Sequence, residues 1–168
     1  MPEPDRVVVS DTGPFITLER LPGGFALLRQ LYDRVLLPEQ VLAELTAGRP
    51  PGGDYLQEFG LADFVEVVAV EATDPDLAEL DAGERDALSL ALQRGLPLLI
   101  EERVGRDTAR AKGVSYSGIA GQLMKARRLG VLSRAEAADK LSTLFEAGRV
   151  NRTLLDGLLA ALKESAGE

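Results

Sequence analysis

The chain has 168 residues, 45% of them hydrophobic and 27% charged, which is enough for one substantial core and ordinary for a globular protein. It has no Cys and no His, which excludes disulfides, thiolate or imidazole metal sites and cysteine or histidine catalysis, leaving carboxylates, hydroxyls, Lys and Arg to carry any chemistry. Its 27 acids against 19 Lys and Arg give a net charge of -8, which speaks against nucleic-acid binding through the overall field. No run approaches the roughly 20 apolar residues of a membrane span, and the opening residues are too acidic and too briefly apolar for a signal peptide. One domain across residues 1–168, cytoplasmic and with no membrane association, is the expectation.

In chain order, Arg6 to Ser10 (RVVVS) is a β-branched, unbroken apolar run, the pattern of a strand buried on both faces, and it ends at Asp11. Pro14 then suits a first helical turn, and two short helices broken at Pro22-Gly23-Gly24 follow. Arg34 to Leu37 reads as a second strand. Pro38 opens a helix through Leu45 that Gly48 closes, and a further helical turn covers Asp54 to Phe59. Phe64 to Val70 (FVEVVAV) alternates like a strand, placed nearer the sheet edge because Glu66 interrupts it. Asp81 and Glu84 have capping-box spacing at the start of a helix whose stripe is Ala87, Leu88, Ala91 and Leu92, ending at Gly95.

Leu96 to Ile100 (LPLLI) is the most buried-looking strand after the first and runs directly into Glu101-Glu102-Arg103. A helix to Lys112, a short fifth strand from Val114 to Ser117 and a helix from Ile119 to Leu129 come next. Ser133 and Glu136 form another capping box, from which amphipathic helices over 134–147 and 152–164 finish the pattern. Strands alternating with helices in this way predict a three-layer α/β/α domain with a central, mostly parallel sheet of about five strands. Ligands of such sheets bind beyond the carboxyl ends of the strands, where the strand order reverses.

Four segments place acids at that edge. Asp11 follows the first strand and Glu101 the fourth, Glu84 lies at the N-terminal end of an inward-facing stripe, and Glu44 sits late in its helix beside Leu45. Each also has a local reading: Asp11 as a helix cap, Glu84 as the second half of its capping box, Glu44 as a solvated helix residue, Glu101 and Glu102 as acids favouring a helix dipole. Taken jointly, carboxylates converging without His or Cys require a cation to offset their repulsion. Oxygen-only ligands suit Mg2+ or Mn2+, and the reaction class is metal-assisted phosphodiester hydrolysis. Residues 103 to 130 hold seven Lys or Arg against Asp107 alone, a basic flank suited to phosphates.

The segments VVVSDTGPFITLERL, VLLPEQVLAEL, LDAGERDALSLALQRG, LPLLIEERVGRDTARAKGV and SGIAGQLMKARRLGVLS, in that order, resemble PIN-domain proteins of the toxin-like subgroup, and the likeness reaches the final ESAGE. The resemblance implies a PIN-like α/β/α domain, with the last two helices, about 133–165, packed as a C-terminal extension. It also implies an endoribonuclease using Mg2+ or Mn2+, acting on RNA, with the role of a toxin opposed by an antitoxin protein and a homodimeric state. Carried over by position, the catalytic set is Asp11, Glu44, Glu84 and Glu101, and the metal set is Asp11, Glu84, Glu101 and Glu102. Thr12, Arg103, Arg106 and Arg110 make the nucleic-acid-binding set. The pattern departs from the family at three points: Glu101-Glu102 stands where at least one Asp is usual, Gly13 stands where a Ser is usual, and no acid follows the fifth strand. The departures motivate a second reading, a catalytically weak or inactive PIN-like scaffold that binds RNA or a partner protein. A phosphotransferase with an aspartyl nucleophile ranks below both, since Gly13 occupies the place of its second Asp, and nucleotide-binding enzymes fare poorly, since no Gly-rich phosphate loop follows the first strand.

Overall fold

The run Val7–Ser10 (β1) is the middle strand of the sheet, with Val8 and Val9 fully buried. A strand apolar on both sides is stable only where helices cover both faces of its sheet. The computed structural model, which describes residues 3–164, shows that arrangement. Arg34–Pro38 (β2), Val65–Val68 (β3), Leu98–Leu99 (β4) and Tyr116–Ser117 (β5) complete a five-stranded sheet in the order β3-β2-β1-β4-β5. All four pairings are parallel, with Val8 opposite Val35 on one side of β1 and Ser10 opposite Leu99 on the other. The fold is a three-layer α/β/α sandwich.

The fourth and fifth strands are shorter than their apolar runs. Leu96 N–H bonds back to the Ala91 carbonyl and Val114 N–H to the Ala109 carbonyl, so the first residues of both runs close the preceding helices instead of joining the ladder. Pro97 has no N–H to give. The third strand occupies an edge, as its interrupting Glu66 suggests, and that acid pairs with Arg34 on the neighbouring strand at 3.3 Å.

Around the sheet, Thr12–Glu19 (α1) and Gly24–Leu31 (α2) are separated at Gly23, which adopts φ 70. Glu39–Thr46 (α3) and the single turn Tyr55–Glu58 (α4) follow β2, and Ala82–Arg94 (α5) opens where Asp81 accepts the Glu84 N–H. Arg103–Ala111 (α6) and Ile119–Arg128 (α7) flank β5, and Arg134–Glu146 (α8) starts in the Ser133/Glu136 capping box. Arg152–Glu164 (α9) is the last element among the described residues, and residues 165–168 lie outside them. None of these helices is long and apolar enough to cross a membrane.

The chain leaves β3 at one edge, runs through α5, and enters β4 on the far side of β1, so the strand order reverses between β1 and β4. The segments leaving those two strands therefore lie side by side, with the Asp11 N–H donating to the Leu99 carbonyl at 3.0 Å. Leu99 is 1% exposed beneath this junction. Leu99→Ala is expected to lower stability by about 2–5 kcal/mol, read as a shifted midpoint in urea with an unchanged slope. A midpoint equal to the parent's would contradict its place in the core.

Candidate functional site

Asp11 ends the central strand and is 4% exposed, and its Oδ1 has no hydrogen-bond partner among the described residues. Burial, followed by the charges of Glu84, Asp81 and Glu44, raises its pKa from 3.8 to about 7, against a backbone bond from Thr12 that lowers it. Glu84 stands in the first turn of α5 at 6% exposure. Its amide is taken by the Asp81 cap at 2.9 Å, but its carboxylate returns no bond to the cap, in contrast to α8, where Ser133 and Glu136 exchange both. That carboxylate is left in a buried position, where desolvation and then the charges of Asp81, Glu102 and Glu44 raise its pKa to about 7.

The other two acids of the predicted catalytic set are held by donors. Glu44, from α3, accepts from the Thr12 hydroxyl at 2.5 Å and from the Gly83 N–H at 3.0 Å. A Cβ at position 83 would fall 2.3 Å from Glu44 Oε2, so glycine at the start of α5 is what admits this carboxylate. Glu101, leaving β4, accepts from the Thr17 hydroxyl and from Arg149 Nη2 (3.2 Å) on Oε1, and from the Ile119 N–H at the start of α7 (3.0 Å) on Oε2.

The structure thus places Asp11, Glu44 and Glu84 within electrostatic reach of one another, with the exposed Glu102 also acting on Glu84, and holds Glu101 in a separate network neutralised by Arg149. Thr12 serves Glu44. Arg103, Arg106 and Arg110 lie exposed along α6. Arg106 and Arg110 flank Tyr116, each with its guanidinium carbon 5.6 Å from the ring centroid, and Arg103 faces Asp107 at 3.9 Å. Two participants escaped sequence reasoning. Asp81 reads there only as a cap, although the position that lets it cap α5 also sets its charge beside Glu84. Arg149 has no local signal at all, since its partners lie 48 or more residues away.

Among the described residues no three acidic side chains stand close enough together to hold an ion between them as placed. The donor chemistry at Asp11 and Glu84 nevertheless fits a hard divalent cation: both are carboxylates, one oxygen of Asp11 is orphaned and buried, and both are destabilised in their charged forms. Glu101, with both oxygens bonded, does not fit as it stands.

A family model described as a PIN domain matches residues 7–164. No curated protein matches the chain. Among solved structures, a PilT N-terminus domain protein from the hyperthermophilic archaeon Sulfolobus solfataricus P2 is similar at 15% identity, over 96% of this chain and 97% of that one, with a TM-score of 0.49.

The acids give a test by pH. Raised carboxyl pKa values mean that the folded chain keeps protons that the unfolded chain loses between the ordinary 3.8 or 4.5 and about 7, so these groups lower stability as pH rises through that window, and the full penalty is present above it. In chelator, Asp11→Asn is therefore expected to melt higher than the parent at about pH 8 and to differ little from it near pH 4. A difference that does not grow with pH would count against the buried, unpaired placement of Asp11.

Proposed function

The chain belongs to the PIN-domain family, and from that premise we propose that it is a divalent-metal-dependent endoribonuclease that hydrolyses RNA phosphodiester bonds, with Mg2+ or Mn2+ held by Asp11 and Glu84. PIN domains are generally nucleases. The observation that supports the reading most directly is the unpartnered, buried Oδ1 of Asp11 beside the equally buried Glu84, two carboxylates whose repulsion and desolvation a cation would offset.

Bound there, a divalent ion supplies Lewis-acid polarisation of the phosphodiester and stabilises charge on the leaving oxygen. The chain's own residues do the rest. The backbone bond from Asp11 to Leu99 fixes the first carboxylate, and Val9 and Ile100, both fully buried, exclude water from beneath it. Thr12 and the Gly83 amide orient Glu44 along the same wall. Glu84, whose charged form burial and its acidic neighbours disfavour, would be held ionised as a ligand by the bound cation. The arginines of α6 offer phosphate contacts that neutralise an approaching strand despite the chain's acidic balance.

In its finer form the proposal makes this protein the toxin of a toxin–antitoxin pair, so that its induced expression arrests growth and expression of Asp11→Asn does not. A second reading, a PIN-type scaffold binding RNA or a partner protein without catalysis, is favoured by one observation, the complete bonding of Glu101. Purified protein with Mn2+ is expected to cleave single-stranded RNA, and Asp11→Asn to reduce cleavage about 100-fold or more, at least the loss that outer partners of a metal site produce. Manganese titration of both proteins by calorimetry completes the experiment. Folded parent protein that neither cleaves RNA nor binds manganese more tightly than Asp11→Asn would sink the nuclease and leave the scaffold.

A further inference from the structure

The C-terminal helical pair sends a cation into the site. At the end of α8 the Gly148 N–H bonds to the Phe145 carbonyl (3.0 Å) and the Arg149 N–H to the Leu144 carbonyl (2.8 Å), with Gly148 at φ 75. This paired closure around a left-handed glycine reverses the chain within two residues. Arg149 consequently reaches back over α1, its Nε donating to the Thr17 hydroxyl (2.8 Å) and its Nη2 to the Gly13 carbonyl (3.3 Å) and to Glu101 Oε1 (3.2 Å). Its Nη1 makes no hydrogen bond among the described residues.

Arg149 also lines a cleft of about 300 Å³ whose other walls include Arg106, Tyr116 and the partly exposed Leu154. Glu101 lines the same cleft, so its walls carry two guanidiniums against one carboxylate, one positive charge more than Glu101 needs. Two arginines, an aromatic ring and an apolar side chain around one cavity match a sugar-phosphate unit, with charge for the phosphate and flat or apolar surface for the base. A planar guanidinium already oriented by Nε and Nη2 loses little freedom on gaining a phosphate oxygen.

We propose that Arg149 and Arg106 form a backbone-phosphate subsite for RNA lying beside the carboxylate centre, and that Glu101 holds Arg149 in place until the phosphate competes for it. The inference rests on the ribonuclease reading and adds to it a contribution from the C-terminal helices, which otherwise only pack against the domain.

The test measures binding of a fluorescein-labelled single-stranded RNA by anisotropy across a salt series, in chelator, with the cleavage-blocking Asp11→Asn protein as parent. Adding Arg149→Gln is expected to weaken binding about tenfold and to reduce the slope of log affinity against log salt by about 0.7, one phosphate contact on a single strand. Arg106→Gln should do likewise, Arg149→Lys should keep the slope, and Glu101→Gln should tighten binding by releasing Arg149. If Arg149→Gln does not fold, the Glu101→Gln/Arg149→Gln pair, which leaves no unpaired charge, takes its place and should show the same reduced slope. An unchanged slope in a parent that does bind RNA overturns the subsite alone. A parent that binds no RNA overturns both the subsite and the ribonuclease reading.

Discussion

Asp11 must be buried among other acids, and most of the surrounding structure answers to that constraint. The reversal of strand order between β1 and β4 ties its amide to the Leu99 carbonyl and so fixes where its carboxylate begins. Burial makes the charged form costly, and Glu44, Glu84 and Asp81 make it costlier. The fold relieves part of this repulsion with donors. Thr12 and the Gly83 amide go to Glu44, while Thr17, Arg149 and the Ile119 amide go to Glu101. Asp11 and Glu84 are left with little such relief. A site that bonded all four acids internally would be stable and closed to a cation; one that bonded none would be hard to fold without it.

How much of this was legible in the sequence follows from the range of the interactions concerned. The strand runs, the glycine stops and the Ser133/Glu136 box depend on residues a few positions apart, and their elements stand within a residue or two of where periodicity puts them. The edge position of β3 was readable from one interrupting Glu66. That Asp11 and Glu101 leave neighbouring strands at the same edge was readable from topology, because a parallel sheet sends every strand's following residues to one edge. What could not be read was the bonding of each acid. Whether Glu101 would turn toward Asp11 or toward Arg149 depends on a turn at Gly148, and no local pattern connects positions 101 and 149.

Charge shows the same division. Summed along the sequence, residues 103 to 130 form a strongly basic flank. In the fold, Lys112 is held by Asp74 and Asp76 at 3.1 and 2.8 Å, and Lys125 lies over Tyr32 with its Nζ 4.5 Å from the ring centroid, so these two belong to the packing of the domain. Arg127 and the exposed Arg128 close α7, and Arg103, Arg106 and Arg110 remain along one exposed helix that starts immediately after Glu102. The cationic surface is therefore smaller than the count suggests but better placed. Its α6 part adjoins Glu102, and Arg149 and Arg106 share the cleft that Glu101 lines.

The length of the acid at position 101 has a physical meaning in this arrangement. Glu101 spans from the end of β4 to two different neighbours, the Ile119 amide on one oxygen and Thr17 with Arg149 on the other. Of the two glycines along its path only Gly118 is crowded, a Cβ there falling 3.3 Å from Oε2, whereas a Cβ at 13 would meet the Glu101 Cβ at 3.7 Å, an ordinary contact. Gly13 contributes through its backbone, its carbonyl accepting from Arg149. An Asp at 101, one methylene shorter, would not reach both sets of donors from the same backbone position. Through this one long acid the α8–α9 connection is tied to the end of β4, because the Arg149 that Glu101 holds is also bonded to Thr17 and to the Gly13 carbonyl of α1.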